Sequence, residues 1–154
     1  MRRARGFTLL ELLVVLAVIA IMASVAVPGF QRTMAVNRMA SDYNLMLSGL
    51  NYARSEAIKR RAEVTFELTH NTPWGYRVTA ADDTVLRSLQ GAGTQVSPAE
   101  LSLTFDALGK PVAGSGCPDD CRITLSSSND GIEDRVLEVS RQGRVGRRDS
   151  DDES

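Results

Sequence analysis

An α+β fold, one long N-terminal helix lying on a mostly antiparallel β-sheet, is predicted here by two changes of hydrophobic pattern. From Leu12 to Val27 every residue is apolar or small and none is charged. Beyond that run Met39, Tyr43, Met46, Leu50, Ala53 and Ala57 recur at spacings of four and three, which is one apolar face of an amphipathic helix. After Arg61 the period falls to two, and the chain continues as short alternating segments separated by turn residues. Helix first and strands after, in 154 residues, is the pattern of one ordinary domain whose helix and sheet share a core.

The chain opens Met1-Arg2-Arg3-Ala4-Arg5-Gly6, and the apolar stretch begins at once. Three arginines before an apolar helix hold that end in the cytoplasm and send the rest of the chain across the membrane. Phe7 to Val27 is about 21 residues, or roughly 30 Å of helix, enough to cross a bilayer core. An ordinary secretory signal would use a shorter apolar region with a small-residue cleavage site behind it, and Ser24-Val25-Ala26 supplies such a site. A plain membrane anchor is the second reading. Both leave Glu11 as an oddity, since a carboxylate deep in lipid costs roughly 3 kcal/mol and is cheap only near the head groups.

Pro28-Gly29 permits a kink without ending the helix, which is expected to run to about Arg60. Arg38, Asp42, Asn51, Arg54, Ser55, Lys59 and Arg60 fall on its other faces. Strands are expected at Glu63–Leu68, Gly75–Thr79, Thr84–Leu89, Leu101–Phe105, Arg122–Ser126 and Arg135–Val139. Between them lie turn signals: Asn71-Thr72-Pro73, Asp82-Asp83, Gly91-Ala92-Gly93, Leu108-Gly109-Lys110-Pro111 and Asn129-Asp130-Gly131. The last six residues, 149–154, are acidic and of low complexity, with the composition of a disordered tail. The chain therefore divides into a basic N-terminal end (1–6), an apolar helical half (7–29), a head (30–148) and the tail (149–154).

With a formal net charge of -1, the molecule as a whole offers no strong field to nucleic acid or membrane. No Ser-His-Asp order, glycine-rich phosphate loop or nucleophile elbow is visible. His70 stands in a turn with no acid or nucleophile beside it, so no catalytic residue and no cofactor are expected, and the chain is read as a non-enzyme. Cys117 and Cys121 are separated by three residues, wrong for a two-residue zinc knuckle. An exported domain favours a disulfide between them over two free thiols, worth about 2 kcal/mol for so small a loop. Asn129-Asp130-Gly131-Ile132-Glu133-Asp134 lacks the first and last oxygen ligands of an EF-hand loop and reads as a solvated acidic turn, so no metal site is expected. Arg141, Arg144, Arg147 and Arg148 lie within eight residues, interleaved with Gly143 and Gly146. Arginine grips phosphate bidentately, and glycine lets a backbone approach a nucleic-acid strand. The alternative is a solvated strand end balanced by the acidic tail, which could compete as a tethered anion.

Arg5-Gly6-Phe7-Thr8-Leu9-Leu10-Glu11-Leu12 resembles the class III leader of type IV pilins and type II secretion pseudopilins. Leu50-Asn51-Tyr52-Ala53-Arg54-Ser55-Glu56-Ala57-Ile58-Lys59-Arg60, Phe105-Asp106-Ala107-Leu108-Gly109 and Val139-Ser140-Arg141-Gln142-Gly143-Arg144-Val145 are similar to the GspH/FimT/FimU branch of that family. The resemblance implies a pilin-like fold and a structural subunit. A prepilin peptidase would cut between Gly6 and Phe7 and N-methylate Phe7. The subunit would wait in the bacterial inner membrane with its head in the periplasm, then join other pilin or pseudopilin subunits in a fibre. Glu11 would pair with a neighbour's terminal amine, an interaction worth about 4 kcal/mol at about 4 Å and an effective dielectric of about 20. Pro28 falls where pilins often carry a kinking proline. Three functions fit this branch: a minor pilin in assembly or at the tip, a DNA-binding minor pilin for uptake, and a minor pseudopilin of type II secretion. FimT-like subunits associate a C-terminal Gly-Arg-x-Arg motif with DNA. Gly143-Arg144-Val145 matches its start, but Gly146 comes next, and Arg147-Arg148 stand one place late.

Overall fold

The computed structural model describes residues 9–69, 73–98, 100–116, 121–129 and 131–147. A helix α1 (Leu9–Arg60) precedes eight strands: β1 (Val64–Thr69), β2 (Gly75–Ala80), β3 (Val85–Gln90), β4 (Gln95–Ser97), β5 (Leu101–Phe105), β6 (Cys121–Ser126), β7 (Arg135–Val139) and β8 (Val145–Arg147). Helical structure continues through Pro28, although proline cannot donate the backbone hydrogen bond of an interior helical residue.

The chain forms two compact units, Met1–Met34 and Ala35–Ser154. In the first, every side chain described from Leu9 to Met34 is exposed, the long apolar ones included. In the second, α1 buries Met39, Tyr43, Met46, Leu50, Ala53 and Ala57, the stripe expected from the spacing. Small residues beside this stripe let the strands come close. A Cβ on Gly49 would stand 2.6 Å from the Tyr76 ring.

The strands form two four-stranded sheets, β3-β2-β1-β5 and β4-β6-β7-β8, where the sequence pattern predicts a single sheet. Every ladder among the described residues is antiparallel. The crossover between sheets is β4, which comes after β3 in the chain but pairs with β6. With three residues, two of them exposed, β4 has no alternating stretch long enough to read as a strand. The inward faces alternate as half-buried strands must. Val64, Phe66 and Leu68 of β1, Leu101, Leu103 and Phe105 of β5, Ile123 and Leu125 of β6, and Leu137 and Val139 of β7 join the helix stripe in one core cluster. Phe66 and Tyr76 stack within it, with ring centroids 5.1 Å apart.

Candidate functional site

Three chain reversals share one construction. In Ala80–Thr84, Asp106–Lys110 and Ser140–Arg144 the first residue's N–H donates to the fifth residue's carbonyl, at 2.8 to 2.9 Å. The fourth residue's N–H donates back to the first carbonyl, at 2.7 to 3.0 Å. That fourth residue takes a left-handed φ: 62° at Asp83, 74° at Gly109 and 76° at Gly143. Side chains complete all three closures, and in the first Asp82 Oδ1 accepts from the Thr84 N–H at 3.1 Å. Asp106 Oδ1 accepts from the N–H groups of Leu108 and Lys110, both at 2.8 Å, and Ser140 Oγ accepts from the Arg144 N–H at 3.1 Å.

The second and third turns interlock. A side chain on Gly143 would run into the Gly109 carbonyl, and one on Gly109 would come within 2.7 Å of Ile58. Arg54 Nε donates to the Gly109 carbonyl at 3.2 Å. The three sequence motifs around Arg54, Gly109 and Gly143 therefore meet at one place, at the Arg60 end of α1. Glu56 fixes that end of the helix further. Its buried carboxylate accepts from Arg60 Nε at 2.9 Å and Lys59 Nζ at 3.0 Å. These hydrogen bonds, Arg60's first, hold it below the usual carboxylate range against the opposing effect of burial.

This geometry gives Gly143 a role different from the one its sequence suggested. It is buried against Gly109 rather than open for a phosphate strand to approach. Gly146 is open, with nothing within 4 Å of a Cβ placed there. Arg141 and Arg144 are exposed on the turn, and Arg147 is exposed in β8. In β8, Val145 pairs with Val139 and Arg147 with Leu137, while Gly146 stands opposite Glu138. Arg147 thus belongs to the face of β8 that continues the core side of β7, not to the Gly146 face. Arg148 and the acidic tail lie outside the described residues.

A second cluster has no counterpart in the sequence reading. Asp42, placed by periodicity on a polar helix face, is only 1% exposed. Its carboxylate accepts from Trp74 Nε1 (3.2 Å), the Ala92 N–H (2.6 Å), the Thr94 N–H (3.1 Å) and Thr94 Oγ1 (2.6 Å). A side chain on Gly91 would overlap the Trp74 indole, so glycine lets the loop lie against the ring. The cluster ties α1 to the segment that crosses between the sheets. The Gly91-Ala92-Gly93 turn signal is visible in the sequence, but nothing local links it or Trp74 to an aspartate on the helix.

Glu11 is exposed in the first turn of α1. One helix among the described residues is long and apolar enough to cross a membrane, and its most apolar stretch is not buried in the structure. Cys121, 5% exposed at the start of β6, takes part in a disulfide. Cys117, His70, Asp130, Gly6 and Phe7 lie outside the described residues. No group of three or more His, Cys, Asp or Glu suited to a metal ion occurs among the described residues.

Residues 1–27 match the prokaryotic N-terminal methylation motif, and residues 42–143, about two thirds of the chain, match the family described as type II transport protein GspH. The chain belongs to the GspH family of pilin-like subunits. A fimbrial protein of Pseudomonas aeruginosa is 32% identical over 141 residues, covering 86% of this chain and 84% of that one. The type IV major pilin protein PilA of Myxococcus xanthus is 34% identical over 86 residues, 51% of this chain but only 39% of the relative. Crystal structures of the type IV minor pilin FimU of P. aeruginosa share the fold. One aligns over 77% of this chain and 91% of its own, with a TM-score of 0.57 and 21% identity. The other covers 71% and 91%, with a TM-score of 0.56 and 24% identity. The fold of this GspH-family subunit is thus the α+β pilin fold, and its family consists of structural subunits.

Proposed function

We propose that this GspH-family subunit is a minor pilin of a type IV pilus, held first in the inner membrane with its head in the periplasm and then built into the fibre. One observation carries the reading. The helix from Leu9 to Met34 is almost wholly apolar, yet every side chain described there is exposed. Apolar area gains about 25 cal/mol per Å² on leaving water, so such a helix needs lipid or other helices around it. The same surface serves both environments, which is why the leader is cut ahead of it, between Gly6 and Phe7. Glu11 then pairs with the new amine of a neighbouring subunit and sets the axial register. A disulfide between Cys121 and Cys117 pins the start of β6. Pro28 weakens the helix locally by removing one backbone donor.

The test is incorporation. Chains carrying Glu11→Ala should still insert in the membrane but be largely missing from sheared, purified pili. Equal amounts in the fibre would remove the role of Glu11.

A second reading, DNA contact during uptake, is supported by the exposed arginines of the β7–β8 hairpin. Arg144→Ala should weaken duplex binding, and the loss should shrink as salt rises. The family description equally admits a pseudopilin of type II secretion. In a cell holding both machines, the fibre from which the chain is recovered distinguishes the two.

A further inference from the structure

We propose that the free edge of β3 is a docking strip, to which a neighbouring fibre subunit adds an extended segment bearing a carboxylate. β3 closes one side of the β3-β2-β1-β5 sheet, and no strand among the described residues pairs with its other side. The opposite edge of that sheet is covered, since the Val112 N–H donates to the Thr104 carbonyl at 2.8 Å and Pro111 bridges Phe105. The edge strands of the second sheet, β4 and β8, have three residues each, against six in β3. In the pairing with β2, the Gly91 N–H donates to the Trp74 carbonyl at 2.8 Å, and Gln90 stands opposite Gly75. Antiparallel neighbours alternate between pairs that exchange hydrogen bonds and pairs that do not. Leu89 and Arg87 therefore turn their backbone groups towards β2, and Ser88 and Gln90 turn theirs outwards. The register shift beside Val78 and Thr79 bends the start of the strand, so its regular free part runs from Arg87 to Gln90. Such an edge accepts another strand unless lysine, proline or a cover blocks it, and β3 contains neither lysine nor proline.

Arg87 decides what that added strand carries. It stands opposite the buried Val78, on the helix side of the sheet, and is half-buried. Its Nη1 donates to Ser48 Oγ at 3.4 Å, and its guanidinium lies 5.3 Å from the centre of the Tyr52 ring. Neither partner is a carboxylate, and Arg87 forms no ion pair among the described residues. The acids of the neighbouring elements are engaged or face elsewhere. Asp82 accepts from the Thr84 N–H, Glu56 from Lys59 and Arg60, and Asp42 from its donors in the crossover. Asp83 is exposed on the turn between β2 and β3, and Glu63 and Glu67 alternate with the buried Val64 and Phe66 onto the outer face. A held arginine fork beside an open backbone edge fits one carboxylate on an added strand. A second copy of this chain pairing through the same edge would bring a second Arg87 to the first. A polyanion would meet Asp82 and Asp83 at the adjoining turn. The choice of a fibre subunit as occupant rests on the pilus reading above; the free edge and its arginine do not.

The test places the photo-crosslinker p-benzoylphenylalanine at Gln90 of the full chain in fibre-producing cells, with Ser102 on the covered edge strand β5 as the control. Both side chains are exposed. After irradiation the fibres are sheared, purified and mapped by peptide mass. Gln90 should crosslink to an extended segment of another subunit that carries aspartate or glutamate, and Ser102 should give no product on that segment. Ser88→Pro removes one outward N–H and spares the ladder to β2, and Arg87→Gln removes the charge and leaves the backbone alone. Each should lower the crosslink yield about tenfold. Thermal unfolding of the purified variants in neutral detergent should match the parent, which separates lost docking from lost folding. Crosslinks on a helix, on a second copy of this chain or on a segment without a carboxylate overturn the proposal, as does a yield that neither variant lowers. A chain present in fibres with no crosslink from Gln90 overturns it too and leaves the pilus reading standing. A chain absent from the fibres removes the pilus reading, and a fibre subunit as occupant with it.

Discussion

Gly143 meets two constraints at once, a left-handed φ of 76° and the Gly109 carbonyl where a Cβ would sit. Gly146, in the next strand, meets neither. Gly143→Ala should therefore cost about 3 kcal/mol in denaturant unfolding, and Gly146→Ala no more than about 0.5 kcal/mol. Similar losses at the two sites would mean that the turns are not locked together. Tyr76 presents the opposite case. Its ring is buried against Phe66 and Gly49, but its hydroxyl has no hydrogen-bond partner, and burial pushes its pKa up. Removing an unsatisfied polar group from a core is neutral or favourable, so Tyr76→Phe should leave stability unchanged or raise it by up to about 1 kcal/mol. A clear loss would reveal a partner for that hydroxyl.

At the scale of elements, α1 is held at two points by different chemistry. At Asp42 a buried carboxylate with four donors ties it to the crossover between the sheets. Asp42→Asn turns one accepting oxygen into a donor facing donors, and should cost about 3 kcal/mol. Hydrogen exchange should rise first in the 91–97 segment, which includes β4. If exchange there stays unchanged, the tie is not what holds the crossover. At the Arg60 end, Glu56 has a native pKa below its unfolded value, so its contribution is present above about pH 4.5 and is lost as the pH falls through the native value. Lys59 is largely exposed and Arg60 partly so, which keeps that contribution under about 1 kcal/mol. Glu56→Gln should flatten the acid limb of a stability-versus-pH curve and leave the alkaline limb alone. The elements themselves were unevenly legible in the sequence. The helix end at Arg60 and the stripe from Met39 to Ala57 emerge from spacing alone, because a helical face is a local pattern. Six strands emerge from alternation. β4 and β8 were missed because each is three residues long, and β8 holds Gly146 among basic residues that read as a solvated strand end. The division into two sheets was hidden too, since alternation marks an inward face without saying which neighbour a strand takes. Asp42 reads as polar helix surface until the loop that covers it is in place.

In the molecule as a whole, a head with its own core continues from an apolar helix that has none. Every buried residue of the core cluster falls between Met39 and Val139, so the head's stability does not draw on the exposed apolar helix. That helix is useful only if the mature protein keeps it, first among lipids and then among other subunits. The most direct measurement is the mass and N-terminal sequence of the mature protein purified from membranes or fibres. A chain beginning at Phe7 with one methyl group on its amine is the expected result. A mature terminus at Val27, on a protein free in the periplasm, would contradict the membrane-then-fibre role of the helix.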